Sequence, residues 1–192
     1  MYEVELKFPV TELPALEHRL KLCGAQWHDP IDQVDRYFNH PCRDFASTDE
    51  ALRLRLNGDA VVITWKGPRI DAGTKTRREI ELPLSGRSPQ GDSAELTIDR
   101  WTEILEALGF RPVATVAKRR QPARVHWQGM EVDVALDRVA GVGDYLELEV
   151  QASEAQVPQA RACLESLARE LGCGNPERRS YLELLLEAPT AR

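Results

Sequence analysis

Cysteine is scarce and scattered: Cys23, Cys42, Cys163 and Cys173 form no C-x-x-C pair, and no His-x3-His stands beside them. The sequence signatures of structural zinc and of a dithiol redox centre are therefore absent. No apolar run approaches the ~18 residues that a membrane span requires. Met1-Tyr2-Glu3-Val4-Glu5 also lacks the basic and apolar regions of a secretion signal. With four scattered cysteines, these absences lead to the expectation of a reducing, cytoplasmic location and no membrane partner. Basic charge is not in excess either, since 31 acidic against 25 basic side chains leave a formal net charge of -6. Holding DNA or RNA by phosphate neutralisation needs a broad basic face, so no nucleic-acid partner is expected, while a small basic pocket stays compatible. His18, His28, His40 and His126 are dispersed and suggest no catalytic imidazole.

What is present suits one globular unit. A chain of 192 residues with 42% hydrophobic content can close a single core and is too apolar for disorder. There is no internal repeat and no low-complexity linker, so residues 1–192 read as one domain. Short alternating runs predict strands at Tyr2–Phe8, Val34–Asn39, Ala51–Leu56, Ala60–Lys66, Arg77–Leu84, Val113–Arg120 and Tyr145–Gln151. A further hairpin joins Val125–Trp127 to Met130–Leu136 through Gln128-Gly129, and Asn57-Gly58-Asp59 reads as another turn. Helical spacing predicts Leu13–Leu22 capped by Thr11, and Trp101–Leu108 preceded by Thr97 or Asp99. The C-terminal part, from about 154 to 188, reads as two helices: Pro158–Leu171 after a Ser153/Gln156 capping box, and Glu177–Leu186 opened by Asn175-Pro176. Asp71–Gly73 and Ser85–Ser93 read as the mobile loops. The sum is an α+β domain of eight or nine antiparallel strands whose sheet closes on itself, since so many short strands would otherwise leave exposed edges.

The informative pattern is the segregation of charge by strand face. Successive strand side chains point to opposite sides, so Glu3, Glu5 and Lys7 project together, as do Arg53 with Arg55, and Arg77 with Glu79 and Glu81. Lys118 likewise joins Arg120, Asp133 joins Asp137, and Glu147 joins Glu149. One wet side of a sheet explains any single strand. Taken together, like charges two residues apart sit only ~7 Å from each other and require ions of opposite sign between them. Rolled inward, these faces would put about seven bases and eight acids in one tunnel, which is tolerable only if they are paired, solvated or ligated. Paired carboxylates suit hard cations such as Mg2+ or Mn2+, and opposed rows of Arg and Lys suit a polyphosphate. Trp65, opposite Lys66, and the pair Tyr37 and Phe38 read as packing residues, with contact to a base the lesser reading; Arg178, Arg179 and Lys75 read as a solvated face or loop.

The motifs resemble a known family. Glu3-x-Glu5-x-Lys7 is similar to the N-terminal signature of the CYTH superfamily, the triphosphate tunnel metalloenzymes, and the later blocks follow in that family's order. These blocks are Asp35-Arg36-Tyr37-Phe38, Arg53-Leu54-Arg55, Thr64-Trp65-Lys66-Gly67-Pro68, Arg77-Arg78-Glu79-Ile80-Glu81, Lys118-Arg119-Arg120, Leu136-Asp137-Arg138 and Glu147-Leu148-Glu149. With Ser180-Tyr181-Leu182-Glu183-Leu184-Leu185 the match resembles the class IV adenylyl cyclase branch, with one departure at Val142, where the branch often has Leu. The resemblance implies an eight-stranded antiparallel barrel forming a tunnel with flanking helices, which binds ATP with two Mg2+ or Mn2+ ions and releases cyclic AMP and pyrophosphate. It implies triphosphate binding by Lys7, Arg53, Arg55, Lys66, Lys118 and Arg120, with Arg77 added, and metal binding by Glu3, Glu5, Asp137, Glu147 and Glu149. Among these, Glu3, Glu5, Lys7, Glu147 and Glu149 would carry the chemistry, supported by Glu79, Glu81 and Asp133. A homodimer through apolar helix surface is implied as well. Hydrolysis of tripolyphosphate, thiamine triphosphate or a nucleotide would use the same charges, and a non-catalytic nucleotide or polyphosphate sensor is the reading from a different class.

Overall fold

The computed structural model describes residues 2–69, 77–84 and 93–188. Asp71–Gly73, Lys75 and residues 85–92 of the expected loops lie outside the described residues. Nine strands follow in order: β1 (Tyr2–Pro9), β2 (Gln26–Trp27), β3 (Ile31–Asn39), β4 (Ala51–Asn57), β5 (Ala60–Arg69), β6 (Arg77–Pro83), β7 (Arg111–Trp127), β8 (Met130–Val139) and β9 (Gly143–Ala152). The hydrogen-bonded order is β2-β7-β3-β4-β5-β6-β1-β9-β8, and β8 pairs back onto β7. Eight antiparallel strands therefore close into a barrel, and β2 is an added strip on β7. Closure removes the open edges that would otherwise invite pairing with other chains. The narrowest seam is β1 with β6, joined at Tyr2↔Arg78 and Glu3↔Arg77.

The core lies outside the barrel. Helix α1 (Leu13–Leu22) and helix α4 (Val157–Glu170) bury Leu20, Leu164 and Leu167 against the outward Val4, Leu146 and Leu148 of β1 and β9. Each large aliphatic side chain buried in this way contributes about 1.5–3 kcal/mol relative to exposure. A second cluster packs α3 (Ala94–Ala107) and Phe45 of α2 (Phe45–Thr48) onto Leu52 and Leu54 of β4 and Val61 of β5. Trp65 packs against this cluster, with its Nε1 donating to Glu50. With the apolar faces turned outward under helices, strand alternation turns the charged faces inward.

Several boundaries differ from the sequence reading. β7 is one 17-residue strand, where the sequence reading had two, Val113–Arg120 and Val125–Trp127. Pro122 falls between the β3 partners, which end at Arg120, and the β2 partners, which begin at Ala123, so it interrupts neither ladder. α3 starts seven residues before Trp101, because Ser93 accepts from the Leu96 amide and caps it. Thr11 does not cap α1, whose N-cap is Glu12 without a side-chain bond. The last helix, α5 (Tyr181–Glu187), starts at Ser180 rather than Asn175-Pro176: Ser180 and Glu183 form a reciprocal capping box. Gln128 and Gly129 make the expected hairpin turn with φ of 47° and 80°. No helix among the described residues is long and apolar enough to cross a membrane.

Candidate functional site

Register brings the charged rows together. Across β1 and β9, Glu5 faces Glu149 and Lys7 faces Glu147; across β7 and β8, Arg120 faces Asp137; across β5 and β6, Lys66 faces Glu79. The barrel encloses a cavity of about 690 Å3. Its walls include the bases Arg53, Arg55, Lys66, Arg77, Lys118 and Arg120, and the acids Glu3, Glu5, Glu79, Glu81, Glu147 and Glu149. Three expected site residues do not border the cavity themselves. Asp137 is completely buried behind Lys118 and Arg120. Lys7 is buried behind Tyr181. Asp133 is on the inward face of β8 but reaches the exposed end of the barrel, where it pairs with the equally exposed Arg124 at 3.0 Å.

The charges form three groups. In the first, Asp137 accepts from Lys118 at 2.9 Å and from Arg120 at 2.7 and 2.6 Å, and Arg120 also donates to Glu147. Burial, followed by the neighbouring Arg120 charge, pushes the Lys118 pKa down to about 8 despite Asp137 and Glu147. Burial opposes the Arg120 charge too, yet Glu147 and Asp137 outweigh it and hold its pKa well above the usual value.

In the second group the sequence pointed to the two bases, Arg53 and Arg55, but not to the acid between them. Asp35, almost fully buried, accepts from Arg55 at 2.6 and 2.7 Å and lies 3.5 Å from Arg53. Burial alone would raise the Asp35 pKa, but Arg53 and Arg55 outweigh it and hold the carboxyl well below its ordinary range. The Nε of Arg53, a residue that borders the cavity, is buried with no hydrogen-bond partner among the described residues.

The third group is short of positive charge. Lys66 lies 3.1 Å from Glu3 and 2.8 Å from Glu79, the latter contact lacking hydrogen-bond alignment. Burial, then the charges of Glu3 and Glu5, push the Glu149 pKa up to about 8, and burial raises Glu3 as well. The side-chain amide of Gln151 donates to Glu149 at 2.7 Å. Such a carboxylate concentration, with oxygen donors only, has the chemistry of a site for a hard divalent cation. Among the described residues, no three acidic, His or Cys side chains close around one point as a finished metal cage.

The segment before and within α5 closes one side of the cavity. The Lys7 ammonium donates to the Arg179 carbonyl at 2.5 Å and lies 4.0 Å from the centre of the Tyr181 ring, with the Lys118 ammonium 5.0 Å from the same ring. Burial, followed by the charges of Glu147 and Asp137, holds the Tyr181 phenol well above its usual pKa, so it keeps its proton. Arg69 ties this segment to the β4 side, pairing with Asp49 at 2.6 Å and donating to the Arg178 carbonyl at 3.0 Å. Arg179, expected as a solvated side chain, is half exposed and pairs with Glu177 and Glu187.

The same cavity has an apolar side, walled by Phe38, Phe45, Leu52, Val113, Leu182 and Leu186. Phe38 is thus a packing residue that also borders the cavity, as is the buried Tyr37. Asp35, Tyr181 and, apart from Phe38, whose contact to a base was the lesser reading, this wall were missed as site elements. The available signals were the odd-numbered spacing of Gln33, Asp35 and Tyr37 on one face of β3, and the Ser180-x-x-Glu183 capping box that starts a helix on Tyr181.

Comparison with known proteins agrees with this geometry. Residues 1–181 match the model of the CYTH domain. A Methanocaldococcus jannaschii protein named "Putative adenylate cyclase" is 32% identical over 189 residues, covering 96% of this chain and 98% of that protein. The Aeromonas hydrophila protein named "Adenylate cyclase CyaB" is 26% identical and covers 98% of this chain and 91% of its own. The solved structure of the PH1819 protein from Pyrococcus horikoshii superimposes with a TM-score of 0.81 at 38% identity, covering 96% of this chain and 98% of that one. The inward charged rows, the closed antiparallel barrel and these relatives lead to one assignment: the chain belongs to the CYTH domain family.

Proposed function

We propose that this protein is a metal-dependent adenylyl cyclase of the class IV kind, converting ATP to cyclic AMP and pyrophosphate inside the tunnel. The observation that carries the reading is the continuity of one cavity from a charged lining to an apolar wall formed by Phe38, Phe45, Leu52, Val113, Leu182 and Leu186. Inorganic tripolyphosphate would leave that wall uncovered, whereas a nucleoside attached to the triphosphate would cover it.

Arg53, Arg55, Lys66, Arg77, Lys118 and Arg120 would hold the triphosphate and neutralise the charge that gathers on departing pyrophosphate. Asp35 and Asp137 would act behind them, keeping Arg55 and Arg120 extended through paired hydrogen bonds. Glu3, Glu5 and Glu149 fit a divalent ion, because a cation there would relieve the repulsion that raises the Glu149 pKa. Asp137, also expected as a metal ligand, has both oxygens engaged by Lys118 and Arg120 and would orient those bases, while Glu147 holds Arg120 through one oxygen and borders the cavity, where it would join the metal set. Mg2+ or Mn2+, when bound, would supply Lewis acidity toward the phosphates and toward the ribose 3'-hydroxyl. The test is incubation of the protein with ATP and either metal. Cyclic AMP with pyrophosphate supports the reading, and orthophosphate as the only product contradicts it.

A further inference from the structure

Tyr181 presents an unusual combination. Its side chain is more than nine-tenths buried, its hydroxyl oxygen has no hydrogen-bond partner among the described residues, and it borders the cavity. A buried hydroxyl left unpaired costs stability, so native proteins retain one where it has a partner to meet. The acids whose charge it feels, Glu147 and Asp137, do not accept from it, and they hold Arg120 and Lys118 instead.

The ring is fixed on several sides. Ser180 caps the helix that begins at Tyr181, and Tyr145 packs edge-on with ring centres 5.3 Å apart. The Lys7 ammonium lies 4.0 Å from the ring centre, anchored by the Arg179 carbonyl. Lys7 does not border the cavity while Tyr181 does, so the tyrosine stands between Lys7 and the cavity. Two cations beside one ring, Lys7 and Lys118, bring positive charge to this end of the cavity, and the phenol still carries its proton to donate. A donor in a cavity walled by Arg and Lys suits a phosphate oxygen.

We propose that Tyr181 is a substrate-contacting residue whose hydroxyl donates to a phosphate oxygen of the bound triphosphate, with Lys7 seated behind its ring as a positioning residue. The proposal rests on the triphosphate reading above and adds to it a residue outside the charged rows. It makes the C-terminal helix part of the binding site.

The test compares wild type, Tyr181→Phe and Tyr181→Leu by calorimetric titration with tripolyphosphate and Mg2+, by thermal melting, and by kcat and KM for ATP. Loss of a hydrogen bond to a charged acceptor should weaken tripolyphosphate binding by about ten- to hundredfold in Tyr181→Phe. The Tm of that variant without ligand should stay equal or rise, since the unpaired buried hydroxyl is gone. Tyr181→Leu should lose at least as much affinity and also melt lower, because the seat of Lys7 is removed. Wild-type affinity in Tyr181→Phe, or a lower Tm with affinity unchanged, overturns the proposal and leaves the triphosphate reading standing. Failure of the wild-type protein to bind tripolyphosphate or ATP overturns that reading, and this proposal with it.

Discussion

Asp35 and Arg55 face each other across β3 and β4 and join through two hydrogen bonds of 2.6 and 2.7 Å, with almost no solvent on the carboxylate. This pair, with Arg53 3.5 Å from the same carboxylate, is the anionic anchor for two of the bases that face the cavity. Removing one partner of a buried pair leaves the other charge uncompensated, at a cost of about 3–5 kcal/mol. Asp35→Ala should therefore lower the unfolding free energy by about that much in urea titration. A loss below about 1 kcal/mol, the range of exposed pairs, would mean that Arg53 and Arg55 do not need the anchor.

The same carboxylate sets an acid limb. Its folded pKa lies well below the unfolded value of about 3.9, so its stabilisation is complete above that value and is lost as pH falls toward the folded pKa. Unfolding free energy measured between pH 6 and pH 3 should fall more steeply for wild type than for Asp35→Asn. Parallel curves would remove Asp35 as the source.

Lys118 gives the opposite kind of pH dependence. Its folded pKa of about 8 lies below the ordinary lysine value, so folding disfavours its charged form. Its contribution to stability therefore rises with pH from about 8 to the unfolded value near 10.4. Binding behaves inversely, because a triphosphate requires the ammonium. Tripolyphosphate affinity at constant ionic strength should weaken as pH passes about 8, and Lys118→Arg should move that limb beyond pH 9. An affinity flat through this range in wild type would contradict a role for Lys118 in phosphate binding.

Glu149→Gln separates function from stability. A carboxyl whose folded pKa is raised to about 8 loses stability as pH climbs from its unfolded value through that point. The amide should leave the Tm at pH 8 unchanged or higher while lowering metal-dependent turnover by about a hundredfold or more. Full activity in this variant would take Glu149 out of the proposed metal set.

Asp133→Ala should change neither stability by more than about 0.5 kcal/mol nor kcat/KM, since Asp133 and Arg124 form an exposed pair. A large loss of activity would place the chemistry nearer that end of the barrel than the cavity does.

These residues also mark how far the sequence could be read. Alternation in Tyr2–Phe8 and Tyr145–Gln151 exposed the inward rows Glu3, Glu5, Glu147 and Glu149, because period-2 alternation survives without knowledge of the partner strand. Asp133 shares that periodicity with Asp137, yet one lies at the barrel end and the other is wholly buried. Depth along the barrel depends on register and shear, which no single strand encodes. Asp35 was hidden because its strand mixes it with Gln33 and Tyr37, so no like-charged pair drew attention. Tyr181 was hidden because Asn175-Pro176 offered an earlier helix start than the Ser180 capping box that prevails.

The most direct test of the central claim is product analysis with ATP and tripolyphosphate side by side, each with Mg2+ or Mn2+. The account predicts that ATP yields cyclic AMP and pyrophosphate in equal amounts, faster than tripolyphosphate is hydrolysed. Rapid release of orthophosphate from both substrates, with no cyclic AMP, would contradict it.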